Sequence, residues 1–124
     1  MRDLVDAIVA SPVVRGWVAE RDGVIVGTAD VEWPDRAGWI SGTVEADPNR
    51  VAYLGTMAIV PEMRGGGVGT AFASHLLREF DTAGMEVSLL HYAALSPLSA
   101  PFWHRMGYRP LWTTWQAQPH PVLR

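Results

Sequence analysis

Apolar and polar positions change their period several times along the chain, and each change marks an element. Leu4, Val5, Ile8 and Val9 recur at helical spacing and predict a short helix over 1–11, which Ser11-Pro12 ends. Residues 13–20 read as a strand, Arg21-Asp22-Gly23 as a turn and 24–33 as the returning arm, since Asp-Gly supplies the positive φ angles of a tight hairpin. Pro34-Asp35 breaks that arm, residues 38–45 predict a further strand, and Ala46-Asp47-Pro48-Asn49 forms a second turn cluster. Residues 51–60 carry no charge, as expected of a strand buried on both faces. After a glycine-rich interruption at 61–69, Val68, Phe72, Leu76 and Phe80 fall four apart with Ala73 and Leu77 beside them, the stripe of a helix that Gly84 caps. Residues 86–92 predict a strand, and 99–107 a short helix with Ser99 as N-cap, Pro101 in its first turn and Gly107 as its stop. A last strand is predicted over 108–116. No repeat or linker divides the pattern, so 1–124 is expected to form a single α+β domain, a mixed sheet with helices packed on it.

Composition narrows the function. Ten arginines against 13 acids give net −3 without a run of either sign, which argues against nucleic acid as a partner. The chain has no cysteine and no lysine. Disulfides, thiolate metal sites, cysteine nucleophiles and lysine Schiff bases are thereby excluded. No histidine–carboxylate pair has metal-site spacing, so no metal is expected. No apolar run approaches the roughly 20 residues that span a bilayer, and two acids in the first six residues make a poor secretion signal. A cytoplasmic protein without a membrane partner is the expectation.

The chemistry is expected at the loop between the charge-free strand and the long helix. The first amides of a helix lack internal acceptors and sit at the positive end of its dipole. Glycines let an anion approach them closely. Arg64, Gly65, Gly66, Gly67, Val68, Gly69 and Thr70 therefore read as a pyrophosphate cradle, with Arg64 as an added cation. A Walker A loop would need a lysine, and the dinucleotide fingerprint would need glycine where Thr70 stands.

Val60-Pro61-Glu62-Met63-Arg64-Gly65-Gly66-Gly67-Val68-Gly69 resembles motif A of the GCN5-related N-acetyltransferases. Ala100-Pro101-Phe102-Trp103-His104-Arg105-Met106-Gly107-Tyr108 resembles their motif B, and the paired arms at 16–20 and 23–31 resemble their early hairpin. The resemblance covers about residues 16–116 and implies a mixed, mostly antiparallel sheet whose central parallel strands, 51–60 and 86–92, splay apart. It further implies acetyl-CoA, or another acyl-CoA, as co-substrate in the gap. Backbone groups of Met57, Ala58 and Ile59 would pair with the pantetheine, and Phe102 and Arg105 would lie on the cofactor side, Arg105 near the adenosine. The implied reaction is direct attack of an amine, on a small molecule or a protein, on the thioester in a ternary complex. A backbone amide near Met57 would polarise the carbonyl.

Three departures from the family pattern bear on activity. The motif B tyrosine, the family's usual acid for the departing thiolate, falls at Trp103, whose indole is no acid at neutral pH. Tyr92 or Ser96 is the substitute acid. No carboxylate lies between Asp47 and Glu62, which leaves Glu32, Glu45 or a water chain as base. Only residues 1–15 precede the hairpin, where the family usually has a strand and two helices. An open sheet and six tryptophans, with Trp33 and Trp39 candidates for acceptor pocket or packing, point to a homodimer. Two functions stand: an N-acyltransferase, or a non-catalytic CoA-binding module of the same fold.

Overall fold

The computed structural model describes residues 5–63, 65–92 and 98–111. Strands β1 (Ala7–Ser11), β2 (Gly16–Arg21), β3 (Val24–Glu32), β4 (Val51–Ile59) and β5 (Val87–Leu90) form one sheet in chain order. The first four are antiparallel neighbours and β5 runs parallel to β4. Helices α1 (Gly38–Ser41), α2 (Val68–Thr82) and α3 (Ser99–Arg105) complete the α+β fold. Asp22 and Gly23 join β2 to β3 with φ of 53° and 77°, the left-handed pair that a two-residue hairpin turn demands. Gly84, at φ 81°, ends the long helix as its position in the sequence predicts.

Two elements differ from expectation. Within 1–11, Ala7–Ser11 is not helical but a strand paired to β2, from Ala7 opposite Glu20 to Ser11 opposite Gly16. So short a segment gains little as an isolated helix, and the free edge of β2 offers a full ladder of partners. Within 38–45, Gly38–Ser41 is a one-turn helix rather than a strand. Ala37, Ile40 and Ser41 are its buried positions, and their spacing of three and four suits one helical face against the sheet. Of the predicted last strand, Tyr108 to Leu111 are irregular and 112–116 lie outside the described residues. Helix α3 does start at Ser99, but Leu98 occupies its N-cap.

The core lies between the sheet and α2. Val68, Phe72, Leu76 and Phe80 of α2 pack against Trp17, Ala19, Val26, Ala29, Val31, Ala52 and Leu54. Trp33 joins this core through edge-on contacts with Trp17 and Phe80. Gly27 admits the helix closely, since a Cβ there would stand 3.1 Å from the Phe72 ring.

The opposite face is far less covered. β4 is buried on both faces only over Val51 and Ala52, and beyond Leu54 it exposes Gly55, Thr56 and Ala58. The single turn of α1 packs there, with Trp39 on Tyr53. A strand precedes the β2–β3 hairpin as the family pattern requires, but residues 12–15 link it straight to β2 with no helix between.

Candidate functional site

The register of β4 explains how the cleft opens. Asp30 faces Thr56, but Val31 faces Leu54, so Gly55 is an extra residue, a β-bulge. Pairing with β5 runs from Val51 opposite Val87 to Leu54 opposite Leu90 and stops at that bulge. Among the described residues, β4 therefore has a partner on the β3 side only from Gly55 to Ile59. This is the expected splay.

The bulge also reverses which residues face the core. Before it, Ala52 and Leu54 point to α2; after it, Met57 and Ile59 do, while Thr56 and Ala58 are exposed. The backbone alternates likewise. Val60 N–H donates to Val26 O at 2.9 Å, so antiparallel alternation turns the amides of Ala58 and Thr56 toward β3. Met57 and Ile59 then present their N–H and C=O groups to the gap. Of the three positions expected along a bound pantetheine, Met57 and Ile59 have the free backbone edge and Ala58 is committed to the ladder with Thr28.

A single 3-10 turn, Pro61–Met63, stands between this edge and the glycine loop. Gly65 and Gly67 adopt φ of 79° and 88°, and Gly67 is the N-cap of α2 with no side chain filling the cap. Ala71 N–H is bonded to Gly67 O at 3.0 Å, so the amides of Val68, Gly69 and Thr70 precede the first intrahelical bond. A Cβ at Gly65 would meet nothing within 4 Å, which leaves that side of the loop open. An anion with several acceptor oxygens fits such a fan of amides. The side chain of Phe102 closes the other flank, 3.6 Å from where a Cβ of Gly69 would be, and the Arg105 guanidinium lies 6.0 Å from the Phe102 ring centre. Arg64 and Ser96 lie outside the described residues.

Other polar groups gather where β4 and β5 part, on the face away from α2. Tyr53 Oη and His91 Nδ1 are 2.9 Å apart, and the Trp39 indole N–H donates to Glu32 Oε1. Trp39, Tyr53 and His91 make mutual ring contacts, so Trp39 belongs to this cluster although 61% exposed. Burial, then the charges of Glu32 and Asp30, raise the Tyr53 pKa, which keeps the phenol neutral. Tyr92 stands exposed two residues beyond β5. Trp103, in the place of the motif B tyrosine, packs against the core instead of presenting a proton. Neither Tyr53 nor Asp30 stands out in the sequence, although Thr28, Asp30 and Glu32 alternate with apolar neighbours and mark one polar face of β3.

Tyr108 fastens the end of α3 to β5, its Oη 2.7 Å from Ser88 Oγ. Burial raises its pKa above the ordinary 10.0, and the Ser88 bond offsets only part of that rise. The fold thus favours the neutral phenol. Its contribution is whole below pH 10 and is lost as pH rises through the folded value. Without lysine or cysteine, only tyrosine side chains titrate there before arginine. Urea unfolding should show Tyr108→Phe weaker by about 1 kcal/mol at pH 8, and the gap to wild type should narrow by pH 11. Parallel stability curves would exclude the role.

The sequence matches the family model described as Acetyltransferase (GNAT) family over residues 2–108. No curated protein matches it. Among solved structures, the chain is similar to aminoglycoside N-acetyltransferase AAC(6')-Iy in complex with CoA, with 19% identity, a TM-score of 0.67 and coverage of 84% of this chain and 74% of that one. The same enzyme with the bisubstrate analogue CoA-S-monomethyl-acetylneamine gives 18% identity, a TM-score of 0.68 and coverage of 84% and 67%. A GCN5-related N-acetyltransferase from Ralstonia eutropha JMP134 gives 25% identity, a TM-score of 0.59 and coverage of 84% and 63%.

Proposed function

Because this chain belongs to the GNAT acetyltransferase family, we propose that it transfers an acetyl group from acetyl-CoA, or another acyl group from its CoA ester, to an amine by direct attack in a ternary complex. One observation carries the reading. Among the described residues, the unpaired edge of β4 is followed, after the single 3-10 turn Pro61–Met63, by the glycines and the amides that open α2. The amides of Gly65 and of Gly67 to Thr70 would take the pyrophosphate, since Gly66 N–H donates to Met63 O. Met57 and Ile59 would take the pantetheine, and Phe102 and Arg105 the flank toward the adenosine.

Acetyl-CoA brings an activated thioester to this edge. The amine nitrogen attacks in its neutral form; its new bond to the carbonyl carbon replaces the C–S bond, and its N–H proton passes to water. Met57 N–H, facing the gap, stabilises the charge that gathers on the carbonyl oxygen, a kind of interaction worth about 100-fold in rate or more. With Trp103 packed away, Tyr92 is the residue proposed to protonate the thiolate, regaining its own proton from water, with Ser96 as the second candidate. The acceptor is an amine, on a small molecule or a protein. A homodimer that covers the open sheet face, in the cytoplasm, belongs to the same reading.

The experiment is thiol release with acetyl-CoA across spermidine, kanamycin, glycinamide and a short peptide with a free N-terminus. Turnover with one or more at rates well above the amine-free blank is expected. The packing of Trp103 in the tyrosine's place favours a second reading, a CoA-binding module without catalysis. Binding of acetyl-CoA with no thiol release from any amine would establish the module in place of the enzyme.

A further inference from the structure

Asp30 stands on β3 between Gly16 of β2 and Thr56 of β4. Its carboxylate lies over the bulge: a Cβ added to Gly55 would meet Oδ1 at 3.0 Å and Oδ2 at 3.2 Å. Oδ1 is buried and has no hydrogen-bond partner among the described residues. An anionic oxygen withdrawn from water without a donor destabilises a fold, so its retention calls for a partner that arrives from outside. Nearby Glu32 is already engaged by the Trp39 indole, which leaves Asp30 as the carboxylate without a donor.

Asp30 also lines a cavity of about 400 Å³, together with Thr28, Glu32, Thr56, Arg15 and Arg36. The cavity lies over β3, between Val13 to Arg15 of the linker before β2 and Thr56 of β4, and Thr56 adjoins the bulge where pairing with β5 stops. From Gly55 to Met57 is about 7 Å along the strand. A group held against Asp30 is therefore within a pleat of the amide assigned to the carbonyl oxygen.

We propose that this cavity is the acceptor site and that Asp30 receives the acceptor's ammonium group. The inference rests on the transferase reading and specifies it: the acceptor is a primary amine that enters as a cation. Both carboxylate oxygens share the charge, so an ammonium reaching Oδ2 compensates the buried Oδ1 as well. One proton then leaves to water through the cavity mouth, and the nitrogen attacks from its place above Gly55.

Asp30→Asn keeps the shape and removes the charge. With the best acceptor of the amine panel, kcat/KM should fall by about 30-fold, mostly through KM, as expected for losing a charge-assisted hydrogen bond. Acetyl-CoA affinity by calorimetry should stay within about twofold, and the melting temperature should hold, because the buried Oδ1 has no hydrogen bond within the described residues to lose. Unchanged kcat/KM would overturn the proposal. So would a fall in melting temperature together with acetyl-CoA affinity, the result of a merely structural role. If wild type turns over no amine, calorimetry with the panel amines decides: binding by wild type lost in Asp30→Asn upholds the site although the enzyme reading has failed. Equal binding, or none, overturns it.

Discussion

Gly67→Asp should lose acetyl-CoA binding by about 100-fold or more while the protein still folds. Two effects act together. The residue sits at φ 88°, where an L side chain is strained by about 1–3 kcal/mol. The new carboxylate also stands at the mouth of the amides of Val68, Gly69 and Thr70, where it can accept their hydrogen bonds itself and repel a diphosphate. Losing two charge-assisted hydrogen bonds of about 1.5 kcal/mol each corresponds to roughly 100-fold in affinity. Calorimetric titration of wild type and variant measures it, with a melting curve to verify the fold. Equal affinities in two folded proteins would remove the anion site from this loop.

Phe72→Ala should cost about 3–5 kcal/mol, the range for emptying a buried phenylalanine site. Phe72 is wholly buried, one turn into α2, and the closely approaching backbone of Gly27 lies beneath its ring. A domain of this size has about 5–15 kcal/mol in total, so the melting temperature should fall by about 10–20 °C. Helix α2 carries the amide fan at its start, and Val68 with Phe72 holds that first turn on the sheet. Acetyl-CoA affinity should therefore fall as well, in proportion to the population that unfolds locally. A melting temperature within a few degrees of wild type would show that the core lies elsewhere.

Much of this arrangement is legible in the sequence because local chemistry dictates it. Asp22-Gly23 can hardly be anything but a tight turn. Glycines at 65, 67 and 84 stand where the backbone must turn left-handed, and the four-residue stripe of α2 points to one core. The short elements were not legible. Ala7–Ser11 and Gly38–Ser41 are too brief for their own periodicity to outweigh what the sheet offers, a free edge in one case and a face to cover in the other.

The bulge at Gly55 is hidden for a different reason. In a charge-free run every register looks alike, and only the pairing with β3 reveals the slip that exposes Thr56 and Ala58. The site divides in the same way. Its donor half is a contiguous motif and can be read from the chain. Its acceptor half joins Asp30 to Gly55 across two strands, a proximity that no local pattern encodes.

Main-chain amides at the start of α2 are proposed to hold the diphosphate of an acyl-CoA. Amide chemical shifts of labelled protein during titration with CoA test it most directly. The largest changes should fall on Gly65, Gly67, Val68, Gly69 and Thr70, with Met57 and Ile59 following. Saturating CoA that leaves those amides unmoved, or moves only residues of the opposite sheet face, would contradict it.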